Sequence, residues 1–194
     1  MSDCKNALVE ANGDMDQAID ILRKKGLAKA AKRAGNETTE GKIKIVIDGS
    51  SAYVAVVSCE TDFVSRSEAY EEMLSRFIEI RKSAASDEAA IVVAEELKAS
   101  EYTLKVGENL VIKTLTKIDG AVLASYVHSN FKQASLVIGN DAANADILKQ
   151  VAMHVVAASP EFLSPADVSL EVLAKEKEIA LAQMQEDPKN AGKP

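Results

Sequence analysis

At residue 42 the hydrophobic pattern of this chain changes period. Before it, apolar side chains recur at helical spacing. From there Ile43, Ile45 and Ile47 alternate with Lys42, Lys44 and Val46, the pattern of a half-buried strand. Asp48-Gly49 is a hairpin signal, and the Val-rich run Ala52 to Cys59 fits a returning, more buried strand. The helical period then resumes: Tyr70, Met73, Leu74, Phe77 and Ile78 fall at i, i+3, i+4, i+7 and i+8. Ser65 and Glu68 form an S-x-x-E capping box at its start. A further helix is expected from Asp87 to about Ala99, with Ile91, Val92, Ala94 and Leu97 on an apolar side. Strand-like runs return at Leu110–Ile118, Ala121–His128 and Ser135–Ile138. Strand, Asp-Gly, strand therefore occurs twice, at Asp48-Gly49 and at Asp119-Gly120, which reads as one hairpin design used twice. Helical and strand blocks in this order predict an α+β body with an antiparallel sheet.

Both ends are helical in pattern. Asp3 is placed to cap a first helix through Ala7, Leu8 and Ala11, closed by Asn12-Gly13. Asp14 caps a second, with Met15, Ala18, Ile19 and Leu22 at helical spacing and Gly26 as its stop. A third short run, Leu27 to Arg33, ends at Gly35-Asn36. After Asn140 a helix spans Asn144 to Ala157, with Ile147, Leu148, Val151 and Val155 inward, until Ser159-Pro160 breaks it. Ser164-Pro165 opens a last helix, about Ala166 to Gln185, carrying Lys175-Glu176-Lys177-Glu178. A long charged helix of this kind projects from a body or pairs with another helix. Asp187-Pro188 ends it, and the tail is expected to fray. The expected organisation is a helical module over residues 1–35, a linker over 36–41, an α+β body over 42–158 and a projecting arm over 159–194.

Composition narrows the function classes. The 194 residues are 47% apolar and 27% charged, enough for one core without metals or disulfides. No apolar run approaches the ~18–20 residues that span a bilayer. Met1-Ser2-Asp3-Cys4-Lys5 carries no secretory pattern. Cys4 and Cys59 alone cannot make a disulfide scaffold or a zinc site, so a cytoplasmic location is expected. With 23 basic against 30 acidic residues the net charge is -7, which argues against DNA or RNA as the main partner. No Trp and 4% aromatic residues argue against stacking on single strands. The balance suggests a protein that meets other proteins.

Catalytic motifs are sparse. Phosphate-loop, dinucleotide, metalloprotease and nucleophile-elbow patterns are missing, and Gly107-Glu108-Asn109 reads as a turn before a strand. His128 and His154 have no Cys or His at metal spacing and are expected as partly buried side chains at element edges. Cys59 ends an apolar strand, where a small buried hydrophobe is favoured over a nucleophile. The basic run Arg23, Lys24, Lys25, Lys29, Lys32 and Arg33 suits phosphate or RNA, or else a solvated helix face near a helix C-terminus. No enzyme, cofactor or metal is expected. One segment resists a structural account: Glu60-Thr61-Asp62-Phe63-Val64-Ser65-Arg66 puts a large aromatic between a buried strand and a capped helix. Phe63 is either a staple folded onto the helix's first turn or an exposed wedge that buries its ring in a partner.

That segment, with Glu68, resembles the T-D-F-V signature of the bacterial elongation factor Ts family. Asp3-Cys4-Lys5, Ala7-Leu8, Glu10-Ala11-Asn12-Gly13-Asp14, Ala18-Ile19 and Leu22-Arg23 resemble that family's N-terminal helical module. Ala28 to Gly35 resembles its linker helix. Val106-Gly107-Glu108-Asn109, Ala152-Met153-His154-Val155, Pro160-Glu161-Phe162 and Pro165-x-Asp167-Val168 continue the likeness in the family's order. The resemblance implies a UBA-like N-terminal module, a dimerisation-type core and a helical arm. It implies a nucleotide-exchange factor that binds the GTPase elongation factor Tu and promotes GDP release, without covalent chemistry and without binding nucleotide itself. Thr61, Asp62, Phe63 and Val64 would then contact the partner near its Mg²⁺ and phosphate site, and His154 would help dock the body. It also implies a chain that begins inside the family's first helical motif and stops before the return half of the arm. His128 to Ala134 departs from the family's H-G-x-R-I-G at Gln133 and Ala134, so that loop is not among the implied sites. The rival expectation is an RNA- or ribosome-binding protein using the basic run over 23–33, followed by an enzyme using Cys59.

Overall fold

A computed structural model describes residues 2–141 and 143–186, with the side chains at 2, 3, 23, 27–31 and 186 outside the described set. The side chains of Asp3, Arg23, Leu27 and Lys29, the Asp187-Pro188 stop and the tail therefore lie outside the described residues. The chain divides into two compact units, one through Ala157 and one from Ala158.

The first unit begins with α1 (Ser2–Glu10) and α2 (Met15–Arg33), packed through buried Ala7, Ala11 and Ala18 with Leu8, Ile21 and Leu22 beside them. Asn12 and Gly13 take φ of 51° and 88°, and the Gly13 N–H reaches the Leu8 carbonyl at 2.8 Å. That is the left-handed stop expected of Asn-Gly. Asp14 Oδ1 accepts the Gln17 N–H at 2.9 Å, the expected cap. α1 already starts at Ser2, so Asp3 lies inside the helix and not at the position before it. Gly26 is not a stop either: α2 runs through it to Arg33 as one helix. A Cβ at Gly26 would lie 2.4 Å from Leu104 Cδ2, so glycine lets the helix pass close to that side chain.

The three-stranded antiparallel sheet has the order β1 (Glu40–Asp48), β2 (Ser51–Cys59), β3 (Val111–Asp119). β1 starts at Glu40, inside the segment expected as linker. Gly49, at φ 59°, turns the β1–β2 hairpin, with Asp48 opposite Ser51. Against one face lies α4 (Glu68–Ser83). Its Tyr70, Met73, Leu74, Phe77 and Ile78 form the core with Tyr53, Ala55, Val57, Cys59 and Leu115. The face of β1 on that side carries Lys42, Lys44 and Val46, opposite Val57, Ala55 and Tyr53. Ile43, Ile45 and Ile47 lie on the other face, opposite Val56, Val54 and Ala52. Alternation identified the strand, while the helix chose the side with the smaller apolar content, where Lys44 Nζ bonds Glu71 and Ser75 of α4.

After α4 come α5 (Asp87–Leu97), a π-helical segment Lys98–Tyr102 and α6 (Thr103–Val106). α5 buries Ala90 and Ala94, whereas Ile91 and Val92 are exposed, contrary to the expected apolar side. Small residues let the helix sit close to the core. β4 (Val122–Val127) and β5 (Ala134–Gly139) make a separate two-stranded sheet. Asp119-Gly120 is therefore not a second hairpin; the chain changes sheets there. The Gly120 N–H binds the Ser50 carbonyl at 2.9 Å, and a Cβ would stand 2.6 Å from Ile138 Cγ2. α7 (Ala145–Ala158) buries Ala152, whose carbonyl accepts the Ser135 hydroxyl at 2.7 Å. Leu148 and Val155 are half-buried, but Ile147 and Val151, expected inward, are exposed.

In the second unit Ser164 caps a 3-10 turn, Pro165–Asp167, in a capping box with Asp167. The long helix α8 starts later, at Leu170, and runs to Glu186. Ser169 caps it, its Oγ accepting the Val172 N–H at 3.2 Å, because Val168 is extended and ends the first turn.

Candidate functional site

Between β2 and α4 the chain forms one short helical turn, α3 (Asp62–Ser65). Thr61 is extended at φ -125°, ψ 156°, and its Oγ1 accepts the Val64 N–H at 3.4 Å. The turn is held from inside. Ser65 is buried and its hydroxyl donates to the Asp62 carbonyl at 3.0 Å, while Val64 packs against the main core. Ser65 is thus occupied by this turn and does not cap α4. Ser67 does, its Oγ accepting the Tyr70 N–H at 3.3 Å.

With Val64 and Ser65 turned inward, Phe63 points outward and is 84% exposed. The staple expectation is excluded, since no folded-back ring could keep that exposure. Asp62 beside it pairs with Arg66 Nη2 at 3.3 Å. The corner thus presents an aromatic ring and a carboxylate on a turn whose opposite side is fixed in the core.

The turn before β3 organises this corner from 48 residues away. Glu108 Oε2 accepts the N–H groups of Glu60 and Thr61 at 3.1 and 3.0 Å, and Oε1 accepts the Thr61 hydroxyl at 2.6 Å. Reciprocally, Glu60 Oε1 accepts the Asn109 N–H at 2.6 Å and Oε2 accepts Asn36 Nδ2 at 2.9 Å. The Asn109 amide, aided by Asn36 and the charge of Arg33, holds the Glu60 carboxyl below its ordinary 4.5. Asn109 Nδ2 donates to the carbonyls of Ala34 and Asn36 at 3.3 and 3.0 Å, tying the exit of α2 to the same place. Gly107, at φ 73°, closes α6 in the left-handed region and turns the chain toward these partners. The sequence marked this segment only as a glycine turn and as part of the family likeness, because nothing local to Glu108 marks a partner so distant in the chain.

The other expected residues stand apart from this corner. His154 is exposed on α7, not partly buried. His128 is half-buried, with Nδ1 3.1 Å from the Tyr126 hydroxyl. Cys59 is fully buried and its thiol donates to the Thr61 carbonyl at 3.2 Å. Burial, with the charge of Glu108, pushes its pKa up to about 11, so it is a packing residue rather than a nucleophile. Of the basic run, Lys25 pairs with Glu10 and Lys24, Lys32 and Arg33 are exposed. Among the described residues no group of three or more His, Cys, Asp or Glu could hold a metal ion, and no helix is long and apolar enough to cross a membrane.

A family model described as Elongation factor TS matches residues 60–194, from the base of this corner onward. The chain belongs to the elongation factor Ts family. It is 38% identical over 182 residues to an elongation factor Ts of Erwinia tasmaniensis, covering 93% of this chain and 64% of the relative. It is 37% identical, with the same coverage, to elongation factor Ts proteins of Salmonella paratyphi A and Salmonella typhimurium. The chain thus spans about two thirds, 64%, of the length of the elongation factor Ts relatives it matches.

Proposed function

We propose that this chain is a translation elongation factor that acts as a guanine-nucleotide exchange factor, binding elongation factor Tu·GDP and promoting GDP release by binding alone. The observation that carries this is the exposed Phe63 on a turn anchored through Val64 and Ser65. A ring presented on a fixed support loses little conformational freedom on docking and makes an effective anchor at a protein interface. Phe63 is the wedge entering the partner near its Mg²⁺ and phosphate site, Asp62 is the polar contact, and Thr61 and Val64 hold them in place. His154, exposed on α7, docks the body at a second point.

The chemistry needed is negative coupling. If the factor binds nucleotide-free partner more tightly than GDP-bound partner, linkage requires the partner to hold GDP less tightly. Each tenfold weakening corresponds to ~1.4 kcal/mol of differential binding. No covalent step, cofactor or nucleotide site on this chain is required. In this reading residues 1–35 are a UBA-like module that grips the GTPase domain, and the linker after it ends where β1 begins, at Glu40. The α+β core follows, to about residue 158, and α8 belongs to a helical arm. The protein works in the cytoplasm.

Release of fluorescent GDP from purified bacterial elongation factor Tu tests this. The chain should accelerate release, and Phe63→Ala should remove at least about tenfold of that acceleration. An RNA-binding role would show the opposite pattern: affinity for RNA falling steeply with salt and no response to Phe63→Ala.

A further inference from the structure

We infer that Glu108 is the positioning residue of the Asp62–Phe63 corner, setting the pose in which the wedge is presented; this rests on the exchange reading above. Its two carboxylate oxygens have a division of labour. Oε2 holds the two amides that follow β2, those of Glu60 and Thr61. Oε1 accepts the Thr61 hydroxyl, which turns the lone pairs of that oxygen toward the Val64 N–H. The chain of bonds runs from Glu108 through Thr61 to the first turn of α3, and Phe63 lies inside the span it closes. Hydrogen bonds to an ionised carboxylate are stronger than those between neutral groups, so one side chain from the α6–β3 turn outweighs the single long cap that Thr61 makes by itself. Asn109, next in the chain, has a different role: its side chain holds Ala34 and Asn36 and makes no bond to Thr61 or to α3. Neither Phe63 nor Asp62 is bonded to Glu108, so Glu108 acts on the wedge only through Thr61 and the backbone beside it.

Two measurements on the full chain test this, one of which does not depend on exchange activity. In amide hydrogen exchange, Glu108→Ala should speed exchange at Thr61, Val64 and Ser65 by about tenfold while the β2–β3 and α4 amides keep their protection. Glu108→Gln, which keeps an acceptor for the two amides, should restore most of that protection. Asn109→Ala should leave residues 61–65 unchanged. In GDP release from elongation factor Tu, Glu108→Ala should lose about tenfold of the acceleration, with Glu108→Gln between it and the parent. On the Phe63→Ala background the same change should cost less than about twofold, because the wedge it positions is gone. Unchanged protection at 61–65 in Glu108→Ala overturns the assignment, as does a loss that multiplies fully with that of Phe63→Ala. Should Glu108→Ala lose protection throughout, Glu108→Gln decides: loosening spread over the core rather than confined to the corner overturns the assignment. Failure of the parent to accelerate GDP release would sink the exchange reading alone, and the amide pattern would still decide the role of Glu108.

Discussion

Neighbouring residues in the corner have opposite duties. Phe63 is exposed and Val64 packs on the core, so their truncations should separate function from stability. Phe63→Ala should shift the midpoint of thermal unfolding by less than about 2 °C, since an exposed side chain contributes little to folding. Val64→Ala should cost about 1 kcal/mol through lost burial, measurable by urea unfolding. The two cysteines divide in the same way. Cys4 is exposed and Cys59 buried, with the Cys59 thiol pushed up to about 11 by burial and by the charge of Glu108. Iodoacetamide at pH 8 should therefore modify Cys4 in the folded chain and reach Cys59 only after unfolding, as peptide mass spectrometry would show.

At the scale of elements, the α4–α5 corner depends on one ion pair. Arg81 is 7% exposed, and its guanidinium bonds Asp87, which also accepts the Thr116 hydroxyl and the Lys117 N–H of β3. Two helices and a strand thus meet on one carboxylate. Burial opposes its ionisation, but the bonds from Thr116, Arg81 and Lys117 outweigh that and hold its pKa below the ordinary 3.8. The folded state then binds fewer protons than the unfolded chain in that range, so this stabilisation is present above about pH 3.8 and is lost as pH falls through the lower, folded value. Asp87→Asn should cost about 2 kcal/mol at neutral pH and flatten the acid limb of the stability profile. Denaturant midpoints measured from pH 2 to 7 would reveal both effects.

Within the first unit, the helical pair meets the body where Gly26 passes Leu104 and where Asn109 holds the exit of α2. Gly26→Val would force a branched side chain into that gap. Leu104 must then turn aside, and the helix pair should loosen against the sheet body, seen as faster proteolytic cleavage between residues 34 and 40 with the protection of β2 and α4 intact. Exchange on elongation factor Tu should weaken even though Phe63 is untouched, because one of the three proposed contact regions would be unanchored.

The sequence by itself determined the features that obey local rules. Helical and strand periods, the Asn12-Gly13 stop, the Asp14 cap and the Asp48-Gly49 turn each depend on residues within about four positions of one another. The T-D-F-V segment also stood out, since a large aromatic beside a carboxylate is unusual between a buried strand and a capped helix, although a staple and an exposed wedge fitted it equally. Tertiary structure decided the rest. Ile43, Ile45 and Ile47 showed a strand, but α4 decided which face met the helices. Gly26 has the composition of a stop and is a place of close approach, because Leu104 lies against it. Asp119-Gly120 looks like Asp48-Gly49, yet its glycine serves a crossing between sheets. Whether Phe63 folded back or pointed out depended on Val64 and Ser65 filling the core beneath it. Glu108, 47 residues from Thr61, left no local trace of its partners. Local propensity acts through neighbours in the chain; burial, close approach and carboxylate bonding act between atoms that only the folded chain brings together.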